Sequence, residues 1–322
     1  MYFRIDEDRG DYISGWLLPD NPSRHPKVIV SVDGENAVVS ATLTHASMVT
    51  GGLHDTGICG FEIGCTDFPA LASAKDVRVY DEDTGLLIYV RRGPYAYVEA
   101  KLFAFDCREG EESLCAAALA SAFHMAYPDL HLVGPDARKA CIDARLTTSL
   151  YLGGKVHVRA LDPYLRGSKF RLAALLADPV DILVGTLLSP SRAEGPDAAE
   201  RLLDIVRRLD ADQQNMLSDP MTRRLTVLNW ADKLERDAVA QALDTLSHYE
   251  AIGVEADMAA FVSQMAGLCE VDDRVFNGVP SKPRSALAAV LRREPVVQKL
   301  IGRDLEIYDA VADAILVANT SE

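Results

Sequence analysis

From residue 1 to about 92 the chain alternates apolar and polar positions with a period of two. "KVIVSVDGENAVVSATL" places two alternating runs around Asp33-Gly34, and "DVRVYDEDTGLLIYVRR" repeats the design around Asp83-Thr84-Gly85. "GICGFEIG" between them is a further short strand. Short strands with closely spaced turn signals predict a small antiparallel β-sandwich. From about residue 100 the period changes: "KLFAFD", "DLHLVG", "KVHV" and "FRLAALL" are short apolar runs, some followed by helical stretches. Such alternation predicts a mainly parallel sheet with helices on its faces. From about residue 196 the spacing is i, i+3, i+4, i+7 in "PDAAERLLDIVRRLD", "ERDAVAQALDTLSHY", "ADMAAFVSQMAGLC" and "RDLEIYDAVADAILVAN", which predicts helices. The fold class is thus α/β, with a β-sandwich domain over 1–92 and an α/β domain over 100–322 whose C-terminal part is helical. No internal repeat is visible, and only 189–196 is low in complexity.

Composition narrows the partners more than the fold. With 48% apolar and 25% charged residues among 322, the chain has the makings of a sizeable core. A formal charge of −15 with no offsetting basic tract argues against nucleic acid. The N-terminus "MYFRIDEDRGDYISGW" lacks the features of a signal peptide, and no run of apolar residues is long enough to span a membrane, so the expectation is a cytoplasmic chain. Six cysteines form no CxxC pair and no zinc-ligand spacing with histidine, so they read as reduced thiols and no metal site is expected.

The stretch "KLFAFDCREGEESLCAAALASAF" reads as strand, loop and helix, the arrangement that builds an anion pocket from backbone N–H groups and a helix dipole. Its loop carries Glu109, Glu111 and Glu112, beside Cys107, the thiol best placed to react. A carboxylate about 5 Å from a phosphate charge costs about 3 kcal/mol at an effective dielectric of 20. The glutamates therefore oppose a phosphate; in the first helical turn they would satisfy the dipole themselves.

The order of these features resembles the Golgi-type and bacterial carbohydrate sulfotransferases, P-loop-like enzymes that transfer sulfonate from 3′-phosphoadenosine 5′-phosphosulfate to a sugar hydroxyl. "LFAFDCREGEESLCAAALASAF" is similar to the family's first strand, 5′-phosphosulfate loop and helix, and "FRLAALLADPVDILVGTLL" to its 3′-phosphate element. "SDPMTRRL", "ALDTLSHYEAIGVEADMAAFVSQMAGL" and "RDLEIYDAVADAIL" resemble its later segments in order, so the likeness spans about 100 to 318. "GWLLPDNPSRHPKVIVSVDGE" with "CGFEI" is similar to β-domains attached to bacterial glycan-synthesis enzymes.

The resemblance implies roles, residue by residue. Arg108 stands where the family has its catalytic Lys, Gly110 at a Gly or Ala, Ser113 at a Ser, and Glu111 and Glu112 at Gly and Thr. Asp178-Pro179 keeps the core of the 3′ element, but Ala177 and Ile182 stand at its two Arg positions and Gly185 at its Ser. Arg108, Gly110, Ser113, Asp178 and Gly185 are thus remnants of a nucleotide site. His157 in "GGKVHVRA" resembles the family's Gly-His segment and is the candidate base, although its spacing differs; in a β-run it is otherwise a core or edge residue. Asp219 and Arg223 match residues that shape the family's substrate cleft, or else are a helix cap and an exposed helical Arg. Trp16 is either core or a platform for a sugar ring. His124 and His131 read as structural, and His25, His45, His54 and His248 form no ligand pattern.

Three functions compete. The lost motifs imply a non-catalytic sulfotransferase-like protein, a binding or scaffold component of bacterial surface-polysaccharide synthesis or modification, with no cofactor and with a glycan or a glycan-synthesis protein as partner. Retention of Arg108, Ser113 and the helical region implies instead an active sulfotransferase using 3′-phosphoadenosine 5′-phosphosulfate. A transferase with a changed donor is the third. A homo-oligomer is compatible with each.

Overall fold

The structure, a computed structural model, describes residues 1–91, 98–106, 119–188, 197–276 and 286–321. In chain order the strands are β1 (Tyr2–Asp8), β2 (Tyr12–Leu18), β3 (Lys27–Val32), β4 (Glu35–Ser40), β5 (Leu43–Thr44), β6 (Ile58–Gly64), β7 (Val77–Asp81), β8 (Leu87–Val90), β9 (Lys101–Asp106), β10 (Met125–Tyr127), β11 (Leu150–Gly154), β12 (Arg171–Leu176) and β13 (Ala251–Val254). The helices begin with α1 (Ala46–Thr50), α2 (Pro135–Ile142), α3 (Val158–Gly167), α4 (Pro179–Leu187), α5 (Ala198–Arg208) and α6 (Ala211–Leu217). They continue with α7 (Pro220–Thr226), α8 (Ala238–Ser247), α9 (Met258–Cys269), α10 (Ala286–Leu291) and α11 (Pro295–Ser321). Two compact units result: 1–99 with 123–126 and 132–150, and 100–122 with 127–131 and 151–322.

The first unit contains two four-stranded antiparallel sheets, ordered β1-β2-β6-β5 and β4-β3-β7-β8, as the period-two pattern predicts. Ile13 and Leu17 of one sheet and Val28, Val30 and Val79 of the other are buried. The β3–β4 turn places Asp33 at φ 46° and Gly34 at φ 92°, the left-handed pair that a two-residue hairpin needs. Asp33 Oδ1 also accepts the N–H groups of Lys75 (3.0 Å) and Asp76 (2.9 Å), which fixes the entry into β7.

The second unit is built on a five-stranded sheet ordered β10-β11-β9-β12-β13. β12 lies parallel to β9 on one side and to β13 on the other, with Ala173 opposite both Ala104 and Ala251. β13 carries Gly253 because any Cβ there would lie 2.6 Å from the Phe261 side chain of α9. The four C-terminal helical patterns appear as α5, α8, α9 and the body of α11. Helices α4, α5, α10 and α11 share a core of Val180, Leu183, Leu202, Val206, Leu291 and Val297.

Two expected strands are corrected. "DLHLVG" forms a single 3-10 turn over Leu130–Leu132. "KVHV" is loop and the start of α3, while the strand lies just upstream as β11. That strand ends at Gly154, whose φ of +122° suits only glycine and where a Cβ would meet His131 Nδ1 at 2.9 Å. Val156 and Val158 are both buried, so their alternation records burial without an extended ladder.

Candidate functional site

Three structural devices converge on one cavity of the second unit. The first is the N-terminus of α4. Asp178 is its N-cap: the carboxylate accepts the N–H of Val180 at 2.9 Å and Pro179 supplies a preset first turn. Asp178 is buried, and its charge is met by Arg292 Nη1 at 3.2 Å. Arg292 also pairs with Asp309 and lies over the Tyr308 ring, so the cap is tied to α11. The positive end of this helix dipole thus already faces a carboxylate of the chain.

The second device joins α7 to α11. Asp219, the N-cap residue of α7, sits at φ 46°, ψ 53° and makes no side-chain bond to its own helix. Its Oδ1 instead accepts the N–H groups of Arg303 (3.0 Å) and Asp304 (3.4 Å), and Oδ2 accepts from Arg303 Nη1 at 3.2 Å. Those residues follow the break at Ile301, whose φ of −127° and ψ of 28° interrupt α11. Asp304, fully buried, returns the arrangement: it accepts the N–H groups of Met221 (2.9 Å) and Thr222 (2.8 Å) and the Thr222 hydroxyl (2.7 Å). Each aspartate caps the other's helix. Burial, and then the charge of Asp219, push the Asp304 carboxyl up to about 7 against those three bonds. Burial also raises Asp219, with the backbone N–H of Arg303 and its charge opposing it.

The third device is a cluster around Trp230. Arg223 is buried and spends its guanidinium on the carbonyls of Ser218 (3.0 Å), Trp230 (3.3 Å) and Asp232 (2.9 Å) and on Asn215 Oδ1 (2.9 Å). It therefore braces the loop after α7. The guanidinium carbons of Arg223 and Arg224 lie 5.6 and 5.8 Å from the Trp230 ring centre. His157, the residue before α3, meets the same ring edge-on at 6.1 Å and 68°. Burial lowers the His157 pKa; the backbone at Arg223 opposes this and the charge of Arg224 adds to it. The imidazole is thus held neutral, and its Nδ1 is buried without a hydrogen-bond partner.

Together these elements enclose a cavity of about 370 Å³, within the range of small-molecule pockets. Its walls are Pro179, Ile182 and Leu183 from α4 and Met216 from α6, closed by Trp230 and by Ile301 at the break in α11. Arg224, only 6% exposed, is the charged residue among the described lining.

Asp178, Asp219 and Arg223 therefore lie in the elements around this cavity, as helix caps and a brace, and His157 stands beside Trp230. Gly185 is exposed on α4, a full turn and more beyond the capped end. Arg108, Gly110 and Ser113, with Cys107, Glu109, Glu111 and Glu112, lie outside the described residues. Sequence reasoning did not single out Arg224, Trp230, Arg292 or Asp304. The signal for Asp304 was a carboxylate in "LIGRDLEIY" at the helical spacing of Leu300, Ile301, Ile307 and Tyr308, that is, on an apolar face. In the first unit Trp16 is half-buried on the face of β2 opposite Ile13 and Leu17, its ring stacked on Tyr2 at 5.6 Å and 20°. His54 is buried there, bonded to the Arg24 carbonyl and accepting the Gly57 N–H.

Among the described residues no group of His, Cys, Asp and Glu is arranged to hold a metal ion, and no helix is long and apolar enough to cross a membrane. Cys59, Cys141 and Cys269 are buried and Cys65 is exposed, none of the four in a disulfide. No protein-family model matches the chain, and no curated protein is significantly similar to it.

Proposed function

We propose that residues 100–322 form a sulfotransferase-like unit that binds a ligand without transferring sulfonate, and that the chain is a cytoplasmic binding or scaffold component of bacterial surface-polysaccharide synthesis or modification. One observation carries the non-catalytic reading: Ala177 and Ile182, at the two positions where the family has the arginines of its 3′-phosphate element, are buried apolar side chains with no donor to offer such a phosphate. Asp178, which the family shares, caps α4 and pairs with Arg292. The half-buried Trp16–Tyr2 pair supports a glycan or partner contact for the β-domain.

The test is thermal unfolding with adenosine 3′,5′-bisphosphate. A Kd of 10 µM would give about 2.7 kcal/mol of stabilisation at 1 mM, a shift of a few degrees. We expect no shift. A clear rise that Arg108→Ala abolishes would overturn the non-catalytic reading in favour of an active enzyme.

A further inference from the structure

We infer that the cavity beside Trp230 is a binding site for a small uncharged molecule of mainly hydrocarbon surface, carrying at most one hydroxyl. The inference gives the binding reading above a class of ligand and rests on it. Pro179, Ile182 and Leu183 of α4, Met216 of α6 and Ile301 of α11 line the space with apolar side chains. The charged groups around them are engaged already. Arg224 is committed within the fold, its guanidinium carbon 5.8 Å from the Trp230 ring centre. Arg223 is bonded to backbone carbonyls and to Asn215, and Asp178 meets the Val180 N–H at the start of α4. Thr186 donates its hydroxyl proton to the Ile182 carbonyl at 2.8 Å, so towards a ligand it can only accept. Among the described lining side chains a ligand is thus left with neutral partners, a Thr186 lone pair and the Trp230 indole N–H. These can match a hydroxyl but cannot neutralise a charge. A carboxylate or an ammonium would leave water without compensation, a cost that hydrocarbon does not carry.

The wall is also held in place before any ligand arrives. Trp230 lies on the loop after α7, yet Arg223 grips that loop through the carbonyls of Trp230 (3.3 Å) and Asp232 (2.9 Å), and His157 meets the ring edge-on. A ring braced in this way loses little freedom on binding. An apolar cavity of about 150 Å³ accommodates benzene, so a volume of about 370 Å³ suits a two-ring body of about ten carbons. Met216 is 63% exposed, a flexible apolar side chain at the rim able to fold over a bound molecule.

The test is calorimetric titration of the full chain with decahydronaphthalen-2-ol, the matching 2-carboxylate and the matching 2-ammonium. The expected result is saturable binding of the alcohol, with both charged forms at least tenfold weaker. Two measurements locate the site. Ile182→Phe, which fills the cavity, should weaken the alcohol at least tenfold in a variant whose melting curve shows it folded. Independently of that variant, Trp16→Phe leaves Trp230 as the single tryptophan of the two present, and its fluorescence should change saturably with the alcohol. No saturable binding, a charged form that binds as tightly as the alcohol, full affinity in folded Ile182→Phe, or saturation with no change at Trp230 would each overturn the inference. Adenosine 3′,5′-bisphosphate is titrated in parallel. If the nucleotide binds, the non-catalytic reading fails whatever the alcohol does; if neither binds, only the apolar site is lost.

Discussion

Two helix starts in the second unit solve one problem in opposite ways. Helix α4 is capped by the residue just before it, Asp178, with a cation brought in afterwards to neutralise the carboxylate. Helix α7 has an aspartate at the same place, yet its first N–H groups are met by Asp304, 82 and 83 positions away. Asp219 is held in a left-handed conformation and caps the restarted α11 in exchange. A local cap stabilises one helix; an exchanged pair makes two helices conditional on each other. The cavity lies between these two solutions, with Pro179 behind the first and Pro220 and Ile301 behind the second.

The comparison predicts unequal losses. Asp304→Ala would strip bonds from two buried N–H groups and one hydroxyl at once. A destabilisation of about 3 kcal/mol or more is expected at pH 8, read from the urea midpoint. A loss below about 1 kcal/mol would mean that water or another donor set replaces the clasp, and that the exchange is not what ties α7 to α11.

The next effect is on pH. Asp304 binds its proton more tightly folded, near pH 7, than unfolded, near 3.8. Between those values the folded state carries the extra proton, so stability is greatest at the acid end of the window and falls as pH rises toward 7, by at most about 1.4 kcal/mol per unit. Asp304→Asn, which cannot titrate, should reduce that slope, to which Asp219, raised in the same direction by burial, also contributes. A slope unchanged by Asp304→Asn would assign the effect to other groups.

Smaller again is the local cap: Asp178→Ala should cost about 1 kcal/mol for the cap, and somewhat more because Arg292 loses one of its two carboxylate partners. Equal losses for Asp178→Ala and Asp304→Ala would erase the contrast. The smallest expected effect is none at all, in the melting curve with adenosine 3′,5′-bisphosphate; a shift that appears only with Ala177→Arg would show the lost arginine to be what excludes the nucleotide.

Much of the frame was legible because it is decided within a few residues. Period-two runs and the turn signals at Asp33-Gly34 and Asp83-Thr84-Gly85 set the strands of the first unit, and the i, i+4 spacing of Ala198, Leu202 and Val206 set α5. The same local reasoning failed at "KVHV", where two buried valines imitate a strand that Gly154 has already ended. It also gave Asp219 and Arg223 without their partners. Asp219 finds Arg303 84 positions on, and Trp230 gathers onto one ring Arg223 and Arg224 from α7 and His157 from the start of α3. Side-chain period and capping propensity are properties of neighbouring residues and survive in any context. Which helix a carboxylate caps, and what an arginine faces, are fixed only when distant segments pack, because burial is what makes an unmet N–H group or an unpaired charge too costly to leave alone.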